Sequence, residues 1–189
     1  MKPALATSEG DDVLLERIRG GDVNAFAGLV DRYQGPLIGF LNRMIRDPEA
    51  AQDLAQDAFL KAFQSLGSYT GRNQAGFSTW LFAIARNGCL DLVRSRKRKA
   101  TEKLEDHEHL PAPDLGDPAR RLRIRTLMEA ALEDMNPDQR MAFELTVVEG
   151  FGYEEAALIQ GTNSGTVRSR VNRAREALQA KLRGFGRKG

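Results

Sequence analysis

The sequence is poor in the residues that build covalent or metal-stapled folds. One cysteine, Cys89, stands among 189 residues, so no internal disulfide and no cysteine-based zinc site can form. The two histidines, His107 and His109, both fall in one acidic EDHEH run and read as solvated residues rather than metal ligands. Aromatics make up 7% of the chain, which suits a helical protein. The longest uninterrupted apolar run, Trp80 to Ala85, has six residues, against the roughly 20 a membrane helix needs. The N-terminal MKPALATSEGDD turns acidic before an apolar signal core could form. No GxxxxGK[ST] phosphate loop is present, so no nucleotide-driven mechanism is expected. A cytoplasmic protein of one or two small domains follows, without membrane insertion and without a cofactor.

What the chain does have is segregated charge. The net charge of +2 conceals −2 over residues 1–85, +5 over 86–99, −8 over 100–163 and +7 over 164–189. Two compact basic segments in an otherwise acidic chain point to two separate contacts with a polyanion.

Helical periodicity dominates, with no two-residue strand alternation. Val13, Leu14 and Ile18 mark a first helix, and Phe26, Leu29, Val30 and Tyr33 a second beyond Gly20-Gly21, with Asp22 placed to cap it. Gly35-Pro36 is expected to interrupt before Leu37, Phe40, Leu41, Met44 and Ile45 resume the pattern. Asp47-Pro48 opens a helix lined on one face by Leu54, Ala55, Ala58, Phe59, Ala62, Phe63 and Leu66. A polar loop over 67–76 precedes a helix from Ser78 that runs into the basic tail Arg94 to Lys99. Residues 100–119 hold three prolines and six acidic groups against one lysine, the composition of an extended linker. Beyond it, Leu122 to Met135 give one amphipathic helix. Asn136-Pro137-Asp138 starts another, which Gly150-Phe151-Gly152 ends. The expectation is all-α: two small helical domains, 1–98 and 120–189, joined by a flexible acidic, proline-rich linker over 99–119.

Residues 153–182 carry the sharper signal. A short helix, Tyr153 to Ile159, meets a turn at Gly161, and a long helix starts near Ser164, the spacing of a helix-turn-helix. Val167, Val171, Ala174, Leu178 and Leu182 share its inward face. Arg168, Ser169, Asn172, Arg173 and Arg175 remain on other faces, where arginine can pair with guanine and asparagine with adenine at about 1–3 kcal/mol per bidentate contact. Each neutralised phosphate adds about −0.9 to the salt slope of log K.

Two further patterns lie upstream. In PEAAQDLAQDAFLKAFQSL (48–66), Asp53, Gln56 and Asp57 share a polar face. In FSTWLFAIARNGCLDLVRSRKRK (77–99), an aromatic start leads into a basic helix. In this order and spacing, together with the helix-turn-helix, they resemble the sigma-70 family of bacterial transcription initiation factors. Within it the chain is most similar to the compact extracytoplasmic-function (ECF) group, which keeps only the second and fourth sigma domains. The resemblance covers residues 11–184.

The resemblance implies that DLAQDAF docks on the β′ clamp of core RNA polymerase through Asp53, Gln56 and Asp57, with Leu54 and Phe59 as apolar support. The β flap is a second implied contact. It implies −10 promoter recognition and melting by the 67–76 loop and the following helix, with Arg72, Asn73, Trp80, Arg86, Asn87, Asp91 and Arg94 as candidates. Trp80 among Phe77, Leu81 and Phe82 also reads as a core residue. The second helix of the helix-turn-helix becomes the −35 reader, giving Ser164, Thr166, Arg168, Ser169, Asn172, Arg173 and Arg175. The linker is implied to lie along a basic polymerase channel, and an anti-sigma protein is an implied partner. Two positions depart from the family pattern. Leu145-Thr146-Val147-Val148 lacks the basic residue common before the acidic-Gly turn, and Gly152 replaces the usual Ser or Thr cap.

The expected function is a transcription initiation factor that reads duplex −35 DNA and melts the −10 element by trapping an unpaired base, using binding energy alone. The alternative is a helix-turn-helix regulator that never joins polymerase, which leaves 48–99 without a purpose. An enzyme acting on nucleic acid would need a metal cluster or a nucleophile–base pair, and neither pattern is present in the sequence.

Overall fold

Apolar residues at three- and four-residue spacing drive the chain into helices, and helices with short helical turns are the regular elements of the described residues. The computed structural model describes residues 9–69, 76–102, 131–132 and 135–186. Helix α1 (Asp11–Arg19) begins with Asp11 and Asp12 and ends with Arg17 and Arg19, so charges at both ends oppose the helix dipole. Gly20 and Gly21 end it, the latter at φ 99°. Asp22 does not cap the next helical turn, Val23–Ala25, through its side chain. Its carboxylate instead accepts from Arg17 at 2.6 and 3.1 Å, which holds its pKa below the usual carboxylate value.

Helix α2 (Phe26–Ile45) runs straight through Gly35-Pro36, contrary to the expected break. A proline inside a helix costs about 3 kcal/mol through its missing N–H. Burial outweighs that here: Leu29 before the proline and Leu37, Phe40 and Leu41 after it are all fully buried, each contributing about 1.5–3 kcal/mol. Helix α3 (Pro48–Gln64) starts as its sequence dictates. The Asp47 carboxylate accepts from the Glu49 and Ala50 N–H groups at 3.1 and 3.0 Å, and Pro48 sits where no N–H is needed. Helix α4 (Phe77–Glu102) carries the basic tail as continuous helix and extends into the stretch read as linker.

In the second half, Ala131 and Leu132 are helical. Asn136 then caps α5 (Pro137–Phe143) by accepting from the Asp138 N–H at 2.9 Å. The helix widens into a π turn over Glu144–Val148, closed by Glu149 N–H to Glu144 C=O at 2.9 Å. Helices α6 (Tyr153–Gln160) and α7 (Ser164–Gly186) follow. The expected linker beyond Glu102, the histidines His107 and His109, and most of the helix placed over Leu122 to Met135 lie outside the described residues.

The two halves share one core. Phe40, Leu41, Phe77, Leu81 and Phe82 from the first half and Met141, Leu145, Ile159, Val167 and Val171 from the second belong to a single buried cluster. Phe151, read as a helix-ending loop residue, is 8% exposed and packs edge-on against Phe82 at 5.0 Å. A smaller cluster of Ala131, Met135, Phe143, Ala174 and Leu178 ties α5 to the far part of α7. No helix among the described residues is long and apolar enough to cross a membrane.

Candidate nucleic-acid and partner interfaces

The helix-turn-helix is built by local rules. Gly161 adopts φ 60°, a left-handed conformation that glycine takes without the cost of a Cβ. Asn163 then accepts from the Thr166 N–H at 2.8 Å through its side chain and starts α7. Gly152, lacking a side chain, supplies only half of a capping box: its N–H donates to the Glu155 carboxylate at 2.9 Å. Val167, Val171 and Ala174 are fully buried and fix the rotation of α7. That rotation leaves Arg168, Ser169, Asn172, Arg173 and Arg175 exposed, with Ser164 and Thr166 half-buried at the first turn. The Arg168 guanidinium lies over the Tyr153 ring, 5.3 Å from its centroid, a cation–π contact that steadies the side chain. Tyr153 had no role in the sequence reading.

A second surface lies on α3. Asp53, Gln56 and Asp57 are all exposed. Leu54 is half-buried and turned to α4, its Cδ2 so near Gly88 that a Cβ there would sit 2.7 Å away. Phe59 is 8% exposed and meets Phe26 edge-on at 6.4 Å. Gln56 and Phe59 line an open groove between α2 and α3, with Gln52, Leu60 and Phe63 on one wall and Val30 and Ile38 on the other. Leu60 is 55% and Phe63 39% exposed. Phe63, expected on the inner apolar face of α3, is thus exposed beside Gln56 together with Leu60, which had no role in the sequence reading.

The third surface is α4. Trp80 is half-buried, its ring tilted against Tyr69 at 4.8 Å and edge-on to Phe77 at 5.8 Å, so the end of the polar loop is anchored by aromatics. Asn87 and Asp91 are exposed. Arg86 is half-buried against the second half of the chain, and its Nε has no hydrogen-bond partner among the described residues. Arg94 pairs with Asp138 of α5 at 3.3 Å. Arg72 and Asn73 lie outside the described residues. Cys89 is fully buried on the inner face, and burial pushes its thiol up to about 12, far above the range of a reactive thiolate.

Sequence reasoning also missed the charges between the two halves. Arg43, Arg140, Glu144 and Glu149 meet there, joined by bonds spanning 97 to 106 residues of sequence. Desolvation raises the Glu149 pKa, against the opposing pull of Arg43.

Comparison with known proteins matches residues 29–99 to Sigma-70 region 2 and residues 125–178 to Sigma-70, region 4. The chain is 35% identical over 188 residues to the RNA polymerase sigma-H factor of Pseudomonas aeruginosa, covering 94% of this chain and 96% of that one. It is 34% identical over 182 residues to the ECF RNA polymerase sigma-E factor of Escherichia coli, covering 91% and 94%. Among solved structures it is similar to CnrH in complex with the cytosolic domain of CnrY, with TM-score 0.70, 25% identity and coverage of 93% and 99%. It is also similar to the sigma factor RpoE of Bartonella quintana in complex with the anti-sigma factor NepR, with TM-score 0.63, 30% identity and coverage of 84% and 96%.

Proposed function

The chain belongs to the sigma-70 family of RNA polymerase sigma factors, in its extracytoplasmic-function group, and from that membership we propose how its surfaces divide the work of initiation. The protein is a transcription initiation factor that joins core RNA polymerase and directs it to promoters. The observation that carries this is the pairing of both family matches, region 2 before region 4, in one chain of matching length. A DNA-binding regulator that never engages polymerase leaves the match over 29–99 without a purpose. Anti-sigma factors bind relatives of the same fold, and the chain has an anti-sigma partner of its own. Its work beside polymerase places it in the cytoplasm, and it acts by binding rather than by catalysis.

Residue by residue, the reading assigns two modules, 1–98 and 120–189, with 99–119 between them. Asp53, Gln56 and Asp57 are the polymerase contacts, exposed carboxylates beside an apolar groove. Leu54 and Phe59 support them from within, since both pack inward. The first turns of α7 enter the −35 major groove, with Arg168, Asn172, Arg173 and Arg175 reading bases or phosphates and Ser164, Thr166 and Ser169 contacting the backbone. On the −10 side the reading assigns Arg72, Asn73, Trp80, Asn87, Asp91 and Arg94, and the Tyr69–Trp80 pair offers an aromatic surface on which unpaired bases can stack at about 1–3 kcal/mol each. Arg86 belongs to the same face. Exposed Val147 and Val148 stand beside the helix-turn-helix as an apolar contact for the β flap.

Reconstitution with bacterial core RNA polymerase and run-off transcription over a genomic promoter library tests this. Specific starts below a shared two-part motif are the expected result. Failure to join the core enzyme with duplex DNA binding intact overturns the sigma reading in favour of a plain regulator.

A further inference from the structure

Arg170 stands in α7 among the arginines assigned to DNA, yet it points elsewhere and had no role in the sequence reading. With successive residues about 100° apart, it lies about 160° from Arg168 and from Asn172, and about 60° and 40° from Val167 and Ala174, both of which are buried. Its side chain is 23% exposed, whereas Arg168, Ser169, Asn172 and Arg173 are fully on the surface. Both ends of its guanidinium are engaged within the second module. Nη1 donates to the Gln160 side-chain oxygen, and Nη2 lies 3.8 Å from the Asp138 carboxylate.

These partners sit at two helix ends. Gln160 is the last residue of α6, directly before the Gly161 turn, and is 1% exposed. Its Nε2 has no hydrogen-bond partner among the described residues, which leaves the bond from Arg170 to offset the burial of the amide. Asp138 is in the first turn of α5, where its N–H donates to the Asn136 side chain. One planar cation thus joins α7 to the negative, C-terminal end of α6 and to the start of α5. The rigid fork of arginine suits such a bridge, whereas a lysine ammonium is a point charge on a flexible stem.

We propose that Arg170 is a positioning residue for −35 recognition: it contacts no DNA and fixes α7 against the ends of α5 and α6, so that Arg168, Asn172 and Arg173 reach the groove together. The inference rests on the assignment of α7 as the −35 reader made above. A helix that rocks on its neighbours still meets phosphates, which run the length of the groove, but loses the alignment that bidentate base contacts require. Loss of the Arg170 bridge therefore lowers sequence discrimination more than it lowers affinity for DNA in general.

The test uses holoenzyme reconstituted from the full chain and bacterial core RNA polymerase. It compares binding to a promoter recovered by run-off transcription with binding to the same promoter carrying a scrambled −35 element. Arg170→Lys keeps the charge and removes the fork. Gln160→Met keeps the volume, removes the acceptor and lies too deep to meet DNA. Circular dichroism and core binding should match the parent for each; Arg170→Lys decides alone if Gln160→Met loses helicity. The expected result is a loss of about tenfold in preference for the intact promoter, with binding to the scrambled one within about twofold of the parent, roughly the discrimination of one base contact. The double variant should lose no more than either single one, because the two side chains act as a unit; additive losses overturn the link through Gln160. Equal losses on both promoters overturn the proposal in favour of a purely structural role, since fewer competent molecules leave the preference unchanged. Unchanged preference also overturns it. A salt slope of log K shallower by about 0.9 in Arg170→Gln marks a direct phosphate contact and overturns it as well. Failure of the sigma reading shows separately, as wild-type protein that does not join the core enzyme.

Discussion

The guanidinium of Arg86 lies against the Gly161 turn, its Nη1 3.6 Å from where a side chain on that glycine would begin. One residue of the first module thus lies beside the turn of the helix-turn-helix in the second, at a distance where a Cβ would make only ordinary van der Waals contact, so the constraint on Gly161 is its own backbone.

Gly161→Ala should therefore destabilise the protein. The substituted residue must hold φ 60° with a Cβ at the Arg86 contact, and about 1–2 kcal/mol is expected from the left-handed conformation. Gly161→Asn should cost less, because asparagine tolerates that conformation. Urea unfolding of the two variants gives the comparison, and equal losses would discount the backbone explanation.

Neutralising the α3 carboxylates should separate binding from stability. Asp53 and Asp57 are exposed, so D53N/D57N should change unfolding free energy by no more than about 0.5 kcal/mol. Binding to core polymerase should fall at least tenfold while duplex −35 binding is retained. Leu60→Ser and Phe63→Ser should weaken the same interaction if the groove beside these carboxylates takes part.

Tyr153 should act on DNA through Arg168. Tyr153→Leu keeps an apolar side chain but removes the ring face under the guanidinium, a contact of about 0.5–1 kcal/mol at an exposed site. A twofold to fivefold loss of −35 affinity is expected by fluorescence anisotropy, with the salt slope unchanged. Arg168→Ala should lose more, about 1–3 kcal/mol if it pairs with a base. In that background Tyr153→Leu should have no further effect.

Cys89 provides a pH signature. Burial raises its thiol from an ordinary 9.0 to about 12, so the folded state retains a proton that the unfolded chain releases. The stabilisation is complete below pH 9 and is lost as pH rises toward 12, at up to about 1.4 kcal/mol per pH unit. Cys89→Ala should show a shallower loss of stability between pH 9 and 10.5 than the parent. The native thiol should resist alkylation at pH 8 and react once the protein is unfolded.

Sequence and structure agree where a local rule decides and part where distance decides. Asp47-Pro48, Asn136-Pro137 and Gly161 act on backbone groups two or three residues away, so helix starts and the helix-turn-helix were legible from spacing alone. Gly35-Pro36 obeys the same kind of rule, but the buried side chains on both sides of Pro36 override it. Asp22 was drawn off its expected cap by Arg17, five residues earlier. The exposed faces of α3 and α7 followed from periodicity. The Arg43 cluster did not: its partners lie about a hundred residues apart, and nothing in either local pattern distinguishes them from solvated charges. Phe151 was hidden for the same reason, since Gly150-Phe151-Gly152 reads as a turn until Phe82 is brought to it.

The π turn at Glu144–Val148 sets angular phase. In a regular α-helix two residues five apart point about 140° away from each other, and Arg43 could not grip both. The widened turn, closed by Glu149 N–H on Glu144 C=O, absorbs that offset and brings both glutamates round to one cation. It is the geometric equivalent of one surplus residue, placed where the second module meets the first. Deleting Val147 would remove that surplus residue and leave the two glutamates four apart, at about 40° in regular α-helix. Both should then stay on Arg43 with the downstream helices in phase, whereas adding a residue to the regular helix elsewhere would swing one of them away.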